Sequence, residues 1–261
     1  MNRTLPMIGA EFLKLRKRRG LVLLSFFLTS ASVVIVNAIL VAYHAANATK
    51  YGPAGGALGF SNNLTLFAIT GALTAVLIGA TAGAQDTSSG VFRSLVATGQ
   101  SRIRIAFVRI PGGLLFLLPM FALGYALEVV AAFVLAGGTP TPAAADVVSG
   151  AGWLASIGVL DLTVTLGLGA LVQSRGTAIG LMIAWELAGS RVVERISAFG
   201  GWRALVSTVA TDRFLPGATD TVALGRTDTI SVTVGAAIAV VVAWILVATA
   251  LGVWRTTTQD A

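Results

Sequence analysis

Residues 85–109 read QDTSSGVFRSLVATGQSRIRIAFVR. The stretch carries four arginines, Arg93, Arg102, Arg104 and Arg109, and one acid, Asp86. Long apolar runs flank it, residues 64–84 on one side and 112–136 on the other. A helix needs about 20 mostly apolar residues to cross the hydrocarbon core of a bilayer. A basic connector between two such runs marks a chain that crosses a membrane repeatedly, with its charges gathered between crossings.

The whole chain fits that reading. Its 261 residues are 56% hydrophobic and 11% charged, with a mean hydropathy of +0.86; soluble domains carry about a quarter charged residues. Residues 21–43, 64–84, 112–136, 150–172 and 231–253 each qualify as spans. Residues 176–190 are apolar but number only 15, so this sixth crossing is thinned, tilted or continued by a partly inserted segment. The expected fold is an all-α integral membrane protein of six transmembrane helices, a single domain over residues 1–261. The basic start resembles a signal peptide, but the 23-residue apolar run is too long for a signal core and no clear small-x-small site closes it. A retained anchor is expected.

Lysine and arginine set the orientation. With the N-terminus inside, the cytoplasmic side holds Arg3, Lys14, Arg16, Lys17, Arg18, Arg19, Arg93, Arg102, Arg104, Arg109, Arg175 and Arg255. The outer side holds Lys50, Arg191, Arg195, Arg203, Arg213 and Arg226, five of them within 191–230 and nearly balanced by Glu194, Asp212, Asp220 and Asp228. Twelve against six puts both termini in the cytoplasm. The net charge of +7 is thus mainly a topology signal, with anionic lipid headgroups rather than nucleic acid as its counterpart.

Chemistry is sparse. There is no cysteine, one histidine (His44, at the outer end of the first span), and no Walker A, GxSxG, HExxH or CxxC pattern. No catalytic, cofactor or metal site is expected in this chain. Three acids lie within spans: Glu128, Asp161 and Glu186. Ionisable groups at membrane depth are costly and usually face a cavity or a partner. They are candidates for a translocation path, and they hint at a cationic or amphiphilic substrate. The alternatives are structural: Glu128 near the outer end of its span, Glu186 paired with Arg191, Asp161 simply protonated.

Two spans carry a small residue at every fourth position: Gly71, Ala75, Gly79 and Gly83 in one, Gly176, Gly180, Ala184 and Ala188 in the other. Such stripes let helices approach closely and are read as packing seams, within the chain or between two copies. Residues 7–19 are amphipathic, with Ile8, Phe12 and Leu15 on one face and Glu11, Lys14 and Arg18 on another, as for a helix lying in the headgroup layer. Residues 137–149 form a short outer loop marked by Gly and Pro. Residues 191–225 suggest two short outer or re-entrant helices broken at Gly200–Gly201, one facing through Val192, Val193, Ile196 and Phe199, the other through Trp202, Leu205 and Val209.

Within the opening stretch, residues 87–99 group Val91, Phe92, Leu95 and Val96 on one helical face, opposite Arg93 and Ser94. Gly99 ends this helix, and Arg102, Arg104 and Arg109 lead back to the membrane, where Pro111 marks the next span. An amphipathic helix of this kind suits a groove on a protein partner; the plainer alternative is a connector with basic anchors.

Taken together, these residues resemble the membrane subunit of a type-2 ABC exporter, the small bacterial permeases built from one six-span chain. The resemblance covers nearly the whole chain. It rests on AEFLKLRKRR at 10–19, like the family's elbow helix, and on SSGVFRSLVATGQSRIRI at 88–105. There Gly90, Arg93, Leu95, Val96, Gly99, Ser101 and Arg102 fall on the family pattern, with Val91 where Thr is usual. It rests also on RFLPGATDTVALG at 213–225, like the outer stretch before the last span. The resemblance implies that residues 87–99 are the coupling helix resting on a separate ATPase subunit. Val91, Phe92, Leu95 and Val96 would dock there, and Arg93, Arg102 and Arg104 would seat it. ATP and Mg would be bound wholly by that partner. A second permease subunit, identical or not, would complete the unit in the bacterial inner membrane. Outside this family, the same features suit a non-transporting membrane scaffold or sensor. An enzyme acting on lipids would need clustered catalytic groups, and only the three scattered acids offer themselves.

Overall fold

The computed structural model describes residues 4–88, 97, 99–224 and 228–258. Among them, five helices are long and apolar enough to cross a membrane. A short helix α1 (Thr4–Arg16) precedes the first, α2 (Arg19–Ala46), which contains a π-helical turn at Phe27–Ala31. Then follow α3 (Gly56–Ser88), α4 (Arg102–Val134) and α5 (Ala144–Val172). Helix α6 (Arg175–Ala184) runs through a π turn (Trp185–Gly189) into α7 (Ser190–Arg195). After a 3-10 segment (Ser197–Leu205) and α8 (Ser207–Asp212), a hairpin of β1 (Thr221–Leu224) and β2 (Asp228–Ser231) leads to α9 (Val234–Thr258), the fifth long helix.

Cross-contacts fix an up-and-down bundle. At one end, Arg102 Nη1 donates to the Thr257 carbonyl at 3.2 Å and Arg109 Nη1 to the Gly83 carbonyl at 3.4 Å. The start of α4 therefore meets the ends of α3 and α9. At the other end, the Gly55 amide donates to the Leu135 carbonyl at 3.0 Å and the Ala57 amide to Pro140 at 2.7 Å. Both termini of the described chain lie on the first of these faces.

Helix α5 is the centre of the packing. Its most extensive partner is α3, followed by α9. Without a hydrophobic drive between helices in lipid, close van der Waals contact must hold them. A Cβ at Gly79 would collide with the Leu162 carbonyl, and one at Gly83 with the Leu166 carbonyl. Ala75 is fully buried between them, and a Cβ at Gly71 would lie 2.9 Å from the Phe121 ring on α4. The second stripe behaves differently: nothing lies within 4 Å of a Cβ at Gly176 or Gly180, and Ala184 and Ala188 are exposed. Within one chain, that stripe faces outward.

Several boundaries differ from the sequence expectation. Helix α4 begins at Arg102, so Pro111 lies inside it, as does Pro119; a buried span tolerates proline because neighbours and local adjustment re-satisfy the freed carbonyl. Helix α5 starts at Ala144, inside the expected loop. The stretch expected as a sixth span, 176–190, is helical, but the π turn interrupts it around Glu186, and Arg175 and Arg191 bound it. Among the described residues, five helices reach the length and apolarity of a span, and this stretch is not one of them. Helix α1 docks along α4: Leu15 is fully buried, Phe12 meets the Phe116 ring tilted at 6.5 Å, and Glu11 packs on Gly112, while Ile8 and Phe12 stay half-buried. The second outer helix does not form as one unit. The backbone turns extended at Val206 (φ −69°, ψ 133°), which leaves Trp202 and Leu205 exposed while Val209 is buried. The expected break at Gly200 is present, at φ 49°, a conformation that L residues rarely adopt. The hairpin was not expected, since its strands are only four residues long.

Replacing Gly79 or Gly83 with Ile forces α3 away from α5 and should destabilise the protein by about 1–3 kcal/mol, the usual cost of overpacking. A fluorescence thermal melt in mild detergent reads this as a lower midpoint. Gly176→Ile and Gly180→Ile should leave the melt of the monomer unchanged.

Candidate functional site

Between α3, α5, α6 and α8 the bundle leaves a cavity of about 210 Å³. One wall is apolar, built by Ala68, Ala72, Leu73 and Val76 of α3 with Trp153 and Ile157 of α5. Alanines at 68 and 72 keep that wall back from the centre. The polar lining is Asp161, one turn beyond Ile157 on α5, with Glu186 of the π turn, Arg191 of α7, and Thr208 and Asp212 of α8. Two of the three acids expected inside spans, far apart in sequence, thus line one space.

Their surroundings differ. Arg191 Nη1 pairs with Glu194 at 3.0 Å and Asp212 at 3.6 Å. Thr208 Oγ1 also donates to Glu194, which is itself buried. The Glu186–Arg191 pair open in the sequence does not form; the π turn re-phases the helix between them, and Arg191 turns to α7 and α8 instead. Burial pushes the Asp212 carboxyl up from its ordinary value, while Arg191 pulls it back down. Asp161, by contrast, is 2% exposed, and its Oδ2 has no hydrogen-bond partner. Glu186 Oε1 is likewise buried and unpartnered. A buried polar oxygen without a partner is uncommon in native proteins and calls for an explanation.

Glu128 lies elsewhere. Asn37 of α2 donates to its Oε2 at 2.9 Å, and Asn63 of α3 donates to Asn37 Oδ1 at 3.3 Å. The acid therefore joins three helices, beside a space of only about 30 Å³. That is room for roughly one water, and Glu128 is not among the residues lining the larger cavity. Asn37 and Asn63 went unread in the sequence, although amides inside apolar runs are a known source of interhelical hydrogen bonds. Glu194 and Asp212 were read there only as balancing charges of an outer segment, and Arg191 also as a partner for Glu186.

The outer cap is stapled to the bundle. Trp185 Nε1 donates to Ser207 Oγ at 3.2 Å, and Trp244 Nε1 of α9 donates to the Leu205 carbonyl at 2.9 Å. Arg203 bridges Gly200, Glu194 and Asp228, and its guanidinium holds the Asp228 carboxyl below the usual carboxylate range. Arg213 ties Asp220 to the Val232 carbonyl. These bonds fix α7, α8 and the hairpin over the cavity. His44 Nδ1 donates to the Tyr51 carbonyl at 2.7 Å, away from the cavity.

On the face with the termini, Arg102 holds the end of α9 while Arg104 is exposed. Val91, Phe92, Arg93, Leu95 and Val96 lie outside the described residues. Gly99 has a φ of 78°, the left-handed conformation common just past a helix end. Comparison with known protein families gives no match, and neither does comparison with curated proteins.

Arg191→Met removes the one cation that Glu194 and Asp212 share. Because the Arg191 side chain is 48% exposed, the loss should be about 2 kcal/mol, below that of a fully buried pair. Adding Glu194→Leu should recover part of it, which a double-mutant cycle of thermal unfolding would reveal as a non-additive pair.

Proposed function

We propose that this chain is the membrane-spanning permease subunit of an ATP-driven type-2 ABC exporter. The observation that carries the reading is the face holding both termini. There α1 docks along α4, α4 is tied to α3 and α9, and residues 89–98 connect α3 to α4. A push on that connector would act directly on two long helices, and through α3 on α5. This face also gathers Lys14, Arg16, Lys17, Arg18, Arg19, Arg102 and Arg104, so it is assigned to the cytoplasm of a bacterial inner membrane.

In this reading α1 is the connecting elbow helix and residues 87–99 the coupling helix. The α6–α7 stretch is a sixth, interrupted crossing. Its polar end, with α8 and the hairpin, forms the outer closure of the path. ATP and Mg belong to a separate ATPase subunit. A second permease subunit packs alongside, for which the outward stripe Gly176, Gly180, Ala184 and Ala188 offers a close-approach surface. Nucleotide-driven movement of the partner would shift the bundle between two states, and it can do so only through contacts that differ between them.

Affinity purification of the chain in mild detergent should bring down a soluble ATPase carrying a Walker A motif. Phe92→Asp and Leu95→Asp should insert normally yet lose both the co-purifying subunit and the stimulation of its ATPase activity. Recovery of no ATPase, or full stimulation with both variants, would overturn the proposal and favour a scaffold without a transport cycle.

A further inference from the structure

The cavity's charges are unevenly satisfied. Arg191 is engaged by Glu194 and Asp212. Its charge also acts on Glu186 without forming an ion pair, and Asp161 makes no ion pair among the described residues. Asp161 and Glu186 both line the cavity, and each has a buried oxygen without a hydrogen-bond partner. Helix α3 supplies an aliphatic lining of Ala72, Leu73 and Val76. Holding two carboxyls in such a place is costly unless something completes them.

We infer that this cavity binds a monovalent organic cation, an ammonium group on a small apolar body, with Asp161 and Glu186 receiving the ammonium. An ammonium brings three N–H donors and no acceptor, which suits two acceptor carboxyls that lack donors. Its apolar body meets the α3 wall, with Trp153 of α5 extending the apolar lining. A divalent metal fits less well. Among the described residues, no group of three His, Cys, Asp or Glu side chains is placed to hold one. The occupant is also matched in size, since about 210 Å³ takes a body of several carbons but not a peptide or a lipid with its chains. The π turn supports the same assignment. Single π turns recur at functional sites in helices, and this one, Trp185–Gly189, contains Glu186.

The inference deepens the export reading by giving the class of cargo, and it rests on that reading only for the claim that the bound cation is carried outward. Its test is therefore binding. The chain is reconstituted in nanodiscs and titrated by calorimetry with phenethylammonium, and separately with the neutral 2-phenylethanol, empty nanodiscs being subtracted. Saturable binding of phenethylammonium is expected, about tenfold or more tighter than that of the alcohol. Asp161→Asn and Glu186→Gln should each weaken it by about tenfold, the worth of a charge-assisted hydrogen bond. Should Asp161→Asn fail to fold, Glu186→Gln and the cavity-filling Ala72→Leu carry the test. Equal affinity for the two probes, unsaturable partitioning alone, or wild-type affinity in the variants would overturn the site. Saturable, acid-dependent binding in a chain that recruits no ATPase would keep the site and remove the export reading; a recruited ATPase with no such binding would do the reverse.

Discussion

The close approach of α3 to α5 governs the rest of the structure. In lipid, helices gain nothing from hiding apolar surface from one another, so backbone proximity and van der Waals contact must hold them. Gly79 and Gly83 let the Leu162 and Leu166 carbonyls reach the α3 backbone. With α5 fixed there, its other sides are committed: Gly167 admits α9, and Asp161, one residue before Leu162, is carried into the space beside α3. The cavity is a consequence of this register. The same helix that packs tightly through residues 71, 75, 79 and 83 presents Ala68, Ala72 and Val76 on the adjacent face, where small side chains leave a gap.

Polar groups inside the bundle follow two different solutions. Glu128 accepts one hydrogen bond from Asn37, which Asn63 supports in turn, while its other oxygen has no partner; that network joins α2, α3 and α4. Asp161 and Glu186 are left unclosed in a larger space. The surrounding helices differ in kind as well. Glu128 sits in an uninterrupted helix of 33 residues, whereas Glu186 sits in a π turn followed by short helical pieces. Irregular backbone at membrane depth is tolerated where it lines a cavity or is buried in protein.

The sequence made the long helices legible because about 20 apolar residues in a row admit few other structures in a membrane. It made the seam of 71, 75, 79 and 83 visible through its spacing, though not which helix lay opposite. What it hid has physical causes. The docking of α1 looked like a headgroup helix because Ile8, Phe12 and Leu15 would suit lipid or protein equally. The hairpin escaped because two four-residue strands carry too little alternation to read. The pairing of Arg191 with Asp212 was hidden because it depends on how the chain folds back through the 3-10 segment, and the missing Glu186–Arg191 pair because nothing in WELAG announces a π turn. The convergence of Asp161 and Glu186 depended on which face of α5 met α3, and a single apolar run does not disclose its own rotation.

Two of these features bear on each other. The outer cap that holds Arg191, Glu194 and Asp212 is fastened to α9 through Trp244 and to the π turn through Trp185. Helix α9 is in turn tied at its other end, through Thr257, to Arg102 at the start of α4. One helix thereby joins the connector face to the lid of the cavity. Helix α9 is an edge helix, its membrane window only 11% buried within the chain, yet it is held at Trp244 and Thr257 and meets α5 closely at Gly167. The α3–α5 seam sets where Asp161 stands, and α9 is the element that spans from the connector face to the cap over the ion cluster.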